Sequence, residues 1–374
     1  MFGLFNKKQT RCLGIDFGAS GIKIAELTKA DKSRLVLSNY IIGQAEAGSR
    51  FSLAKLDADA IAKILKDLLQ KAGIKASGAV VSLSVGETFS TVIDLPFMPE
   101  ADLAKAIPYE ALKYVPGPIG EVALAWSVVG RPAAEVASSI ADIALSSDKS
   151  VPRGQGAMSV RDSNSTPGNF GSGAGSKGQS PQGTGSSTSG KAGSGTLQVL
   201  IVAVPKELVG KIAQVAKKTD LKILAIEQEA FSAVRSLIGR DEAVFLIIDL
   251  GQENADFILV DKNSIRLIFT FELAKKPDLI AEAQRIINLC QTRYSKKPAK
   301  IILTGGRVSR LSQPSPDNKE NQPDWPALFK EKLSIVSGLG DPFARLTYDQ
   351  KLAPVLKEIS PFMAVAIGAA MREL

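Results

Sequence analysis

The 374-residue sequence predicts a mixed α/β protein that is built from two related lobes. Strand-like runs rich in β-branched residues alternate with amphipathic helical segments, an order typical of α/β chains. In addition, "LGIDFGASGIKIAEL" (13–27) aligns without a gap on "LIIDLGQENADFILV" (246–260). Both copies read strand, turn, strand, and a third strand follows each of them. Because the unit occurs twice, we expect two similar lobes that face each other.

The remaining elements follow in order along the chain. After the third strand, "RLVLSNYIIG", an amphipathic helix is predicted over "LDADAIAKILKDLLQKAG", with Ile61, Ile64, Leu65, Leu68 and Leu69 on one face. A strand, "GAVVSLSV", comes next. The middle of the chain predicts the strand "STVIDLP", a helix from Pro99 to Tyr114 kinked at Pro108, the strands "VALAWSVVG" and "LQVLIVAVP", and the helix "KELVGKIAQVAKKT".

Composition excludes several kinds of chemistry. The chain has no histidine, so Ser-His and Cys-His triads, histidine bases and histidine-ligated metals are ruled out. Its two cysteines, Cys12 and Cys290, are far apart, which favours a reducing compartment over a disulfide framework. The net charge of +8 indicates a mild preference for acidic partners such as lipid headgroups or nucleic acid, but scattered basic residues are usual in cytosolic proteins, and that simpler interpretation is favoured.

Three segments are predicted to lie outside the ordered elements. A Gly/Ser-rich stretch at about 146–195 has almost no apolar residues and reads as a flexible loop, and 312–325 reads as a polar surface loop. The first residues, "MFGLFNKKQ", are too few for a signal-peptide core; they predict either a frayed end or a weak contact with a membrane surface. No apolar run reaches the roughly 18–20 residues that span a bilayer.

The turn after the first strand has the composition of a phosphate-binding turn. Four small residues, Gly18, Ala19, Ser20 and Gly21, would let a phosphate approach the backbone closely. A strand follows them, whereas P-loop and dinucleotide-binding turns open a helix. Asp16 could then hold Mg²⁺ directly or through water. An ordinary hairpin is the alternative for one such turn, but the second copy favours the phosphate site.

Three stretches, "LGIDFGASGIKIAEL", "IDLPFMPEADLAKAIPYEALKYVPGPIGEVALAWSVV" and "VLIVAVPKELVGKIAQVAKKTDLKILAIEQEAFSAVRSL", resemble the actin-like ATPase superfamily. Within it, the chain is most similar to the type IV pilus assembly PilM family, which is related to the cell-division protein FtsA. The resemblance implies an actin-like (ribonuclease-H-like) fold with an inserted α/β module. The implied parts are a first lobe at 1–88, the module at 89–220, a connecting helix of the first lobe at 221–240, and a second lobe at 241–374.

The resemblance also implies where ligands and partners bind. ATP would lie between the lobes, with Mg²⁺ at Asp16 and Asp249. The implied nucleotide-binding residues are Asp16, Gly18, Ala19, Ser20, Gly21, Lys23, Asp249, Gly251, Thr304, Gly305 and Gly306. A PilN-like membrane protein would dock through a short cytoplasmic peptide, near Phe97 and Met98. The protein would then be cytoplasmic, at the inner face of the cell membrane, among other assembly-platform proteins and without nucleic acid.

Three departures from the family pattern bear on activity. The second turn carries Gln252, Glu253 and Asn254 where hydroxyl side chains are usual, and Arg307 stands where a small residue is usual. Third, only one helix fits between Leu273 and Ala299, which implies a shortened second lobe. Hydrolysis needs a closed, positioned site, so we expect weak or vestigial ATP binding.

The preferred function is therefore an adaptor, and the alternatives stay open. One is an active Mg-ATP-dependent switch, in which Asp16 and Asp249 would be weak catalytic candidates. In that case Glu227 and Glu229 would either polarise water or simply begin a helix, and the simpler role is favoured. A second is an FtsA-like cell-division adaptor. A sugar or acetate kinase is disfavoured, because those enzymes lack the inserted module.

Overall fold

The computed structural model describes residues 10–31, 34–45, 51–129, 196–309 and 323–374. The predictions for residues 1–9, for the Gly/Ser-rich segment at 146–195 and for most of the polar segment at 312–325 lie outside these ranges. The strands are β1 (Arg11–Gly18), β2 (Gly21–Lys29), β3 (Leu35–Gln44), β4 (Gly78–Leu83), β5 (Phe89–Pro96), β6 (Val122–Val128), β7 (Thr196–Pro205), β8 (Lys222–Gln228), β9 (Phe245–Leu250), β10 (Asn254–Asp261), β11 (Ser264–Glu272), β12 (Lys300–Thr304) and β13 (Ser337–Leu339). The helices are α1 (Ala58–Lys71), α2 (Glu100–Ala111), α3 (Lys206–Thr219), α4 (Glu229–Leu237), α5 (Leu279–Tyr294), α6 (Trp325–Leu333), α7 (Ala353–Ile359) and α8 (Ala364–Met371).

Two five-stranded sheets repeat one topology. The first has the order β3-β2-β1-β4-β8 and the second has the order β11-β10-β9-β12-β13. In both, the first three strands are antiparallel, and the last two run parallel to the first strand. If the strands of each sheet are numbered from one in chain order, both sheets have the strand order 3-2-1-4-5. The two-lobe repeat that the sequence predicts is present in the fold.

The inserted segment forms a smaller, separate sheet. Its strands are antiparallel in the order β5-β7-β6. One face packs against α2 through a core that includes Ile93, Leu103, Ile107 and Ile201. The other face packs on the first lobe. Helix α3, which follows β7, packs mainly against α1 of the first lobe.

Two predicted helices differ in extent from the observed ones. The helix predicted from Pro99 to Tyr114 is α2, which ends at Ala111 and contains Pro108. Of the predicted connecting helix at 221–240, only the second half is helical, because residues from Lys222 to Gln228 form β8 beside β4. This segment pairs with β4 as the last strand of the first sheet. Local helix propensity does not reveal that pairing.

The connection between β11 and β12 in the second lobe is short. Between β11 and β12 the structure has one α-helix, α5, after a single short 3₁₀ turn. Its inward face carries Ala283, Ile286, Ile287 and Cys290, which pack on the second sheet. The second-lobe residues that line the cleft, among those that the structure describes, lie at strand ends and in the turns that follow them.

The last helix of the chain returns to the first lobe. Helix α8 packs against β1, β2 and β4 and against α4. The approach is so close that a Cβ at Gly14 would collide with the carbonyl oxygen of Ala366. In the part of the chain that the structure describes, no single helix is long and apolar enough to cross a bilayer. The segments Gln350–Phe362 and Ala364–Met371 pass that test only as a pair, and they are bent by 93°.

Candidate functional site

A cleft of about 280 Å³ lies where the strand ends of both lobes meet. Nine of the residues implied as a nucleotide site line it: Asp16, Gly18, Ala19, Ser20, Lys23, Asp249, Gly251, Gly305 and Gly306. Gly21 and Thr304 do not line the cavity themselves, but each is the chain neighbour of a residue that does. The volume is at the lower end of the roughly 300–1,000 Å³ that small-molecule sites enclose. The sequence repeat thus brings its two turns to one cavity.

The first turn is held in shape by its two glycines. The strands β1 and β2 pair Gly18 with Gly21, which leaves Ala19 and Ser20 as a two-residue turn. A Cβ at Gly18 would lie 2.7 Å from the Lys23 Nζ atom. Gly21 has φ +131°, and a Cβ there would collide with the carbonyl oxygen of Gly43. Gly18 therefore makes room for a charged side chain in the cleft, and Gly21 lets β3 approach.

Lys23 and Asp16 form an ion pair on the floor of the cleft. They face each other in the β1–β2 register, and Lys23 Nζ donates to Asp16 Oδ2 over 2.6 Å. Both side chains are more than nine-tenths buried. The same ammonium lies 4.7 Å from the ring centroid of Phe362, which provides a cation–π contact. Lys23 is thus a fixed positive charge beside the first turn.

Three further carboxylates gather opposite this pair. Burial raises the pKa of Asp249 to about 7, with Asp256 adding to the effect and Lys23 opposing it. Burial also raises the pKa of Asp256 to about 6, although a hydrogen bond from Thr270 opposes the rise. Burial, and then the charges of Asp256 and Asp249, raise the pKa of Glu229 well above its usual value. The cleft therefore favours an added proton or cation.

The position of Glu229 was not predicted from the sequence. It is the first residue of α4, directly after β8, and its Oε1 accepts a hydrogen bond of 2.7 Å from the backbone N–H of Val85. This bond joins the ends of two neighbouring parallel strands at the cleft. Glu229 does begin a helix, as the simpler interpretation held, and it also faces the cavity. The signal that could have indicated this is its place at the carboxyl end of a parallel strand.

Glu227, two residues earlier, has a different place. Its carboxylate is fully buried and bound by Arg235 at 2.7 Å and 2.9 Å, by the hydroxyl of Ser232, and by Arg372 at 3.6 Å. Although burial alone would raise its pKa, the two guanidinium groups and the hydroxyl hold it below the usual value. Glu227 lies outside the cleft lining. It therefore joins β8, α4 and the end of α8.

Arg307 binds the second turn, which joins β9 to β10, through two hydrogen bonds. Its Nε donates to the carbonyl oxygen of Gly251 over 3.0 Å, and its Nη2 donates to that of Gln252 over 3.1 Å. This side chain, which stands where the family usually has a small residue, thus makes two bonds to the β9–β10 turn. Behind it, Thr304 Oγ1 donates to the carbonyl oxygen of Pro361 over 2.5 Å. Gly305 has no room for a side chain, because a Cβ would collide with Asp249.

The two candidate partner-binding residues are in different environments. Phe97 is 60% exposed, at the corner between β5 and α2. Met98 is half-buried and packs on the core of the small sheet. Phe97 is therefore accessible to a partner and Met98 supports the corner. Their role in partner binding stays a prediction.

The cleft residues fit a metal-bound polyphosphate better than a metal alone. Within the described ranges, no group of three or more Cys, Asp or Glu side chains is arranged to hold a metal ion. Mg²⁺ is commonly held by one or two carboxylates together with phosphate oxygens, and Asp249 and Asp16 could provide these. Lys23 and the small turns could receive the phosphate. The nucleotide roles of the nine lining residues stay predictions.

Comparison with known proteins agrees with this fold. Residues 14–149 match the family model of the type IV pilus assembly protein PilM. The match takes in β1 to β6, and so includes the first phosphate-like turn and the first half of the inserted module. It covers just over a third of the chain.

A PilM–PilN type IV pilus biogenesis complex has a chain that superimposes on this one with a TM-score of 0.66 and 18% identity, over 98% of this chain and 99% of that chain. The chain thus has the fold found in that PilM–PilN complex. A more distant match is a Bacteroides thetaiotaomicron protein with an actin-like ATPase fold, with a TM-score of 0.41 and 8% identity over 96% of this chain and 99% of that chain. Another is the cytoplasmic domain of EpsL, from the type II secretion system of Vibrio cholerae, with a TM-score of 0.39 and 10% identity over 79% of this chain and 82% of that chain.

Proposed function

We propose that this protein is a PilM-like adaptor of a type IV pilus assembly machine or a related secretion machine. It acts in the cytoplasm at the inner face of the membrane and holds the cytoplasmic segment of a PilN-like membrane protein. The observation that carries the proposal is the agreement of two independent likenesses: a PilM family model over residues 14–149 and the fold of a PilM–PilN complex over nearly the whole chain.

The inserted module supplies the partner surface in this proposal. Its small sheet packs by one face on the first lobe, so a peptide bound at their junction would contact both of them. Phe97 stands exposed at the corner of the module. Aromatic side chains of this kind supply much of the binding energy where they are buried by a partner. We therefore assign Phe97 as an anchoring residue for the peptide.

The cleft has a supporting part in the adaptor. Bound Mg-ATP would supply counter-charge and a bridge between the lobes. Lys23 would hold phosphate oxygens, and Asp249 and Asp16 would hold the metal. Gly305 and Gly306 would leave space for the nucleoside beside Phe362. Because only one α-helix lies between β11 and β12, we expect the nucleotide to be held loosely, and binding rather than turnover is the expected contribution.

Calorimetry with a peptide tests the adaptor. The peptide is the cytoplasmic segment of the PilN-like protein encoded in the same genome, titrated into the wild type and into the Phe97→Ser variant. We expect binding by the wild type and an affinity loss of about tenfold or more in the variant. Tyr109→Ser, a change at a 74% exposed residue of the same module, is the matched control and should leave the affinity unchanged. Absence of wild-type binding would refute the adaptor.

One observation favours an active ATPase switch as a second candidate. Glu229 faces the same cavity as Asp16, Asp249 and Asp256, so a carboxylate with a raised pKa is available to accept a proton from water. The test measures Mg-ATP binding and phosphate release for the wild type, Glu229→Gln and Asp16→Asn. Turnover that is lost in Glu229→Gln while binding persists would support the switch. Binding without turnover would favour the adaptor alone.

A further inference from the structure

A loop of the first lobe forms a second wall of the cleft beside the first turn. It comprises residues 51–57, which we call the cleft loop, and four of its residues line the cavity: Phe51, Ser52, Leu53 and Lys55. The backbone N–H of Phe51 donates to the carbonyl oxygen of Ala19 over 3.1 Å. The cleft loop is therefore attached directly to the turn that is proposed to receive phosphate.

Two charged side chains hold the backbone of the cleft loop. Lys211 of α3 donates through Nζ to the carbonyl oxygen of Leu53 over 3.1 Å. The same ammonium donates to the carbonyl oxygen of Ala54 over 2.5 Å. Burial raises the pKa of Glu87, and a hydrogen bond from the backbone N–H of Ala54 opposes that rise. The backbone that leads into Lys55 is therefore fixed on both sides.

Lys23 and the cleft loop lie on opposite faces of the first sheet. Side chains alternate along β2, so Lys23 shares a face with Ala25, which packs against α8. Phe17 belongs to the other face, in the core that α1 and α3 cover. The Phe51 ring stacks on Phe17, with the ring centroids 5.8 Å apart and the planes inclined by 14°. The first turn is therefore flanked by Lys23 on one face and by the cleft loop, with Lys55, on the other.

Lys55 is the second cation of the cleft lining. The first, Lys23, is bound to Asp16. Among the residues that the structure describes, no carboxylate lies within 4.0 Å of the Lys55 ammonium, and this side chain is exposed. Six acidic side chains line the same cavity: Asp16, Glu87, Glu229, Asp249, Glu253 and Asp256. A polyphosphate in this cavity therefore needs a cation that the protein's own carboxylates do not already bind, and Lys55 supplies one.

The nucleoside of the proposed function lies on the Lys23 side of the turn. The Lys23 ammonium lies 4.7 Å from the ring centroid of Phe362. A Cβ at Gly306 would lie 3.4 Å from a carbon of the same ring. A phosphate chain that begins beside this ring and crosses the first turn ends at the cleft loop. The phosphate farthest from the nucleoside would then lie beside Lys55.

We propose that Lys55 binds the terminal phosphate of a nucleoside triphosphate and makes the cleft prefer a triphosphate to a diphosphate. The inference rests on the nucleotide part of the proposed function and deepens it, because it names the number of phosphates as the property that the cleft distinguishes. A diphosphate still contacts the first turn and Lys23, but it does not reach Lys55. The contact between an ammonium and a phosphate is a charge-assisted hydrogen bond, so its loss should be measurable as a loss of affinity.

Calorimetry of the full chain with two nucleotides tests the proposal. The ligands are ADP and adenylyl imidodiphosphate, a triphosphate analogue that resists hydrolysis, each with Mg²⁺. The wild type should bind the triphosphate analogue at least about fivefold more tightly than ADP. Lys55→Met keeps the length of the side chain and removes its charge. This variant should bind the triphosphate analogue about tenfold more weakly and ADP within about twofold of the wild type.

Two further variants are the controls. Lys55→Arg keeps the positive charge and should retain the preference for the triphosphate analogue. Lys66→Met changes an exposed lysine of α1 that does not line the cleft, and it should leave both affinities unchanged. Both lysines are exposed, so the folded state should persist in each variant, and a thermal melt verifies this.

Acetylation of the wild type by acetic anhydride measures the contact without a substitution. The triphosphate analogue should slow acetylation of Lys55, and ADP should not. Lys66 is the internal reference, and its acetylation should be the same with either nucleotide. Equal protection of Lys55 by the two nucleotides would refute the proposal.

The calorimetric outcomes separate this inference from the proposed function. Unchanged affinity of Lys55→Met for the triphosphate analogue, or an equal loss for both nucleotides, would refute the inference and leave the adaptor in place. Absence of any nucleotide binding by the wild type would refute the inference together with the nucleotide part of the proposed function. The peptide titration tests the adaptor separately from both.

Discussion

Lys23 Nζ lies 2.6 Å from Asp16 Oδ2, and both side chains are buried at the centre of the cleft. The carboxylate implied as a Mg²⁺ ligand therefore already has a cationic partner from its own hairpin. A phosphate or metal ion that enters the cleft would therefore encounter the Lys23–Asp16 ion pair, and not an unpaired Asp16 carboxylate. The predictions below follow from this pair and from its neighbours.

The ion pair should behave as a unit in unfolding experiments. Asp16→Asn leaves a buried ammonium without its counter-ion, and Lys23→Met leaves a buried carboxylate among three others. Each single change should lower the free energy of unfolding by about 3–5 kcal/mol. The double variant should be clearly more stable than the sum of the two losses predicts, because no charge is then left alone. Urea unfolding of the four proteins measures this cycle, and additivity within about 0.5 kcal/mol would contradict the coupling.

Removing the charge of Asp249 should stabilise the protein at alkaline pH. Its pKa is about 7 in the folded protein and about 3.9 in an unfolded chain, so between these values the folded state holds the extra proton. Stability is therefore lost as pH rises through about 7. Asp249→Asn should raise the free energy of unfolding by roughly 1–3 kcal/mol at pH 8 and by much less at pH 5.

Urea titrations at the two pH values measure the effect of Asp249→Asn. The control is Asp67→Asn, a change of the same type at an exposed position on α1, which should show no such dependence on pH. A stabilisation that is equal at both pH values would contradict the assigned pKa.

The two neighbouring glutamates should give opposite results. Glu227→Gln removes the counter-charge of Arg235 and Arg372, two largely buried guanidinium groups, and should lower the free energy of unfolding by about 3–5 kcal/mol. Glu229→Gln removes one of several mutually repelling carboxylates and should leave stability unchanged or raise it at pH 8. Each variant is the control for the other. Similar losses in both would show that Glu229 has a structural role like that of Glu227.

Arg307 should set the rigidity of the second turn. Arg307→Ala removes two hydrogen bonds, to Gly251 and Gln252, and both bonds are at the surface. We expect faster amide hydrogen exchange within 251–254 and a change of no more than about 1 kcal/mol in global stability. Mass-spectrometric exchange of the folded protein measures it, with Arg285→Ala on the exposed face of α5 as the control. Unchanged exchange in this turn would refute the assigned role.

The positions of the β1–β2 and β9–β10 turns could be predicted from the sequence. The repeat predicted two turns of matching position, and the structure brings both to one cleft. The Asp16–Lys23 pair was also within reach, because a two-residue turn closed by Gly18 and Gly21 places these residues opposite each other. Register alone fixes that contact, without any long-range information.

The role of Glu229 could not be predicted in the same way. It meets Val85 across a separation of 144 residues, most of which belong to the inserted segment. Only the pairing of β8 with β4 decides that this glutamate reaches the cleft and that Glu227 does not. The same pairing explains why the first part of 221–240 is a strand. Such contacts depend on tertiary packing, which local patterns do not contain.

The return of α8 to the first lobe has a consequence for synthesis of the chain. The strand β1 (Arg11–Gly18) leaves the ribosome long before the helix that covers it, which spans Ala364–Met371. Until that helix emerges, the apolar surface around Leu27 and Leu37 lacks its cover. The first lobe therefore begins to form before the second lobe and is completed only after it, when α8 emerges, and nascent chains should rely on chaperones during that interval.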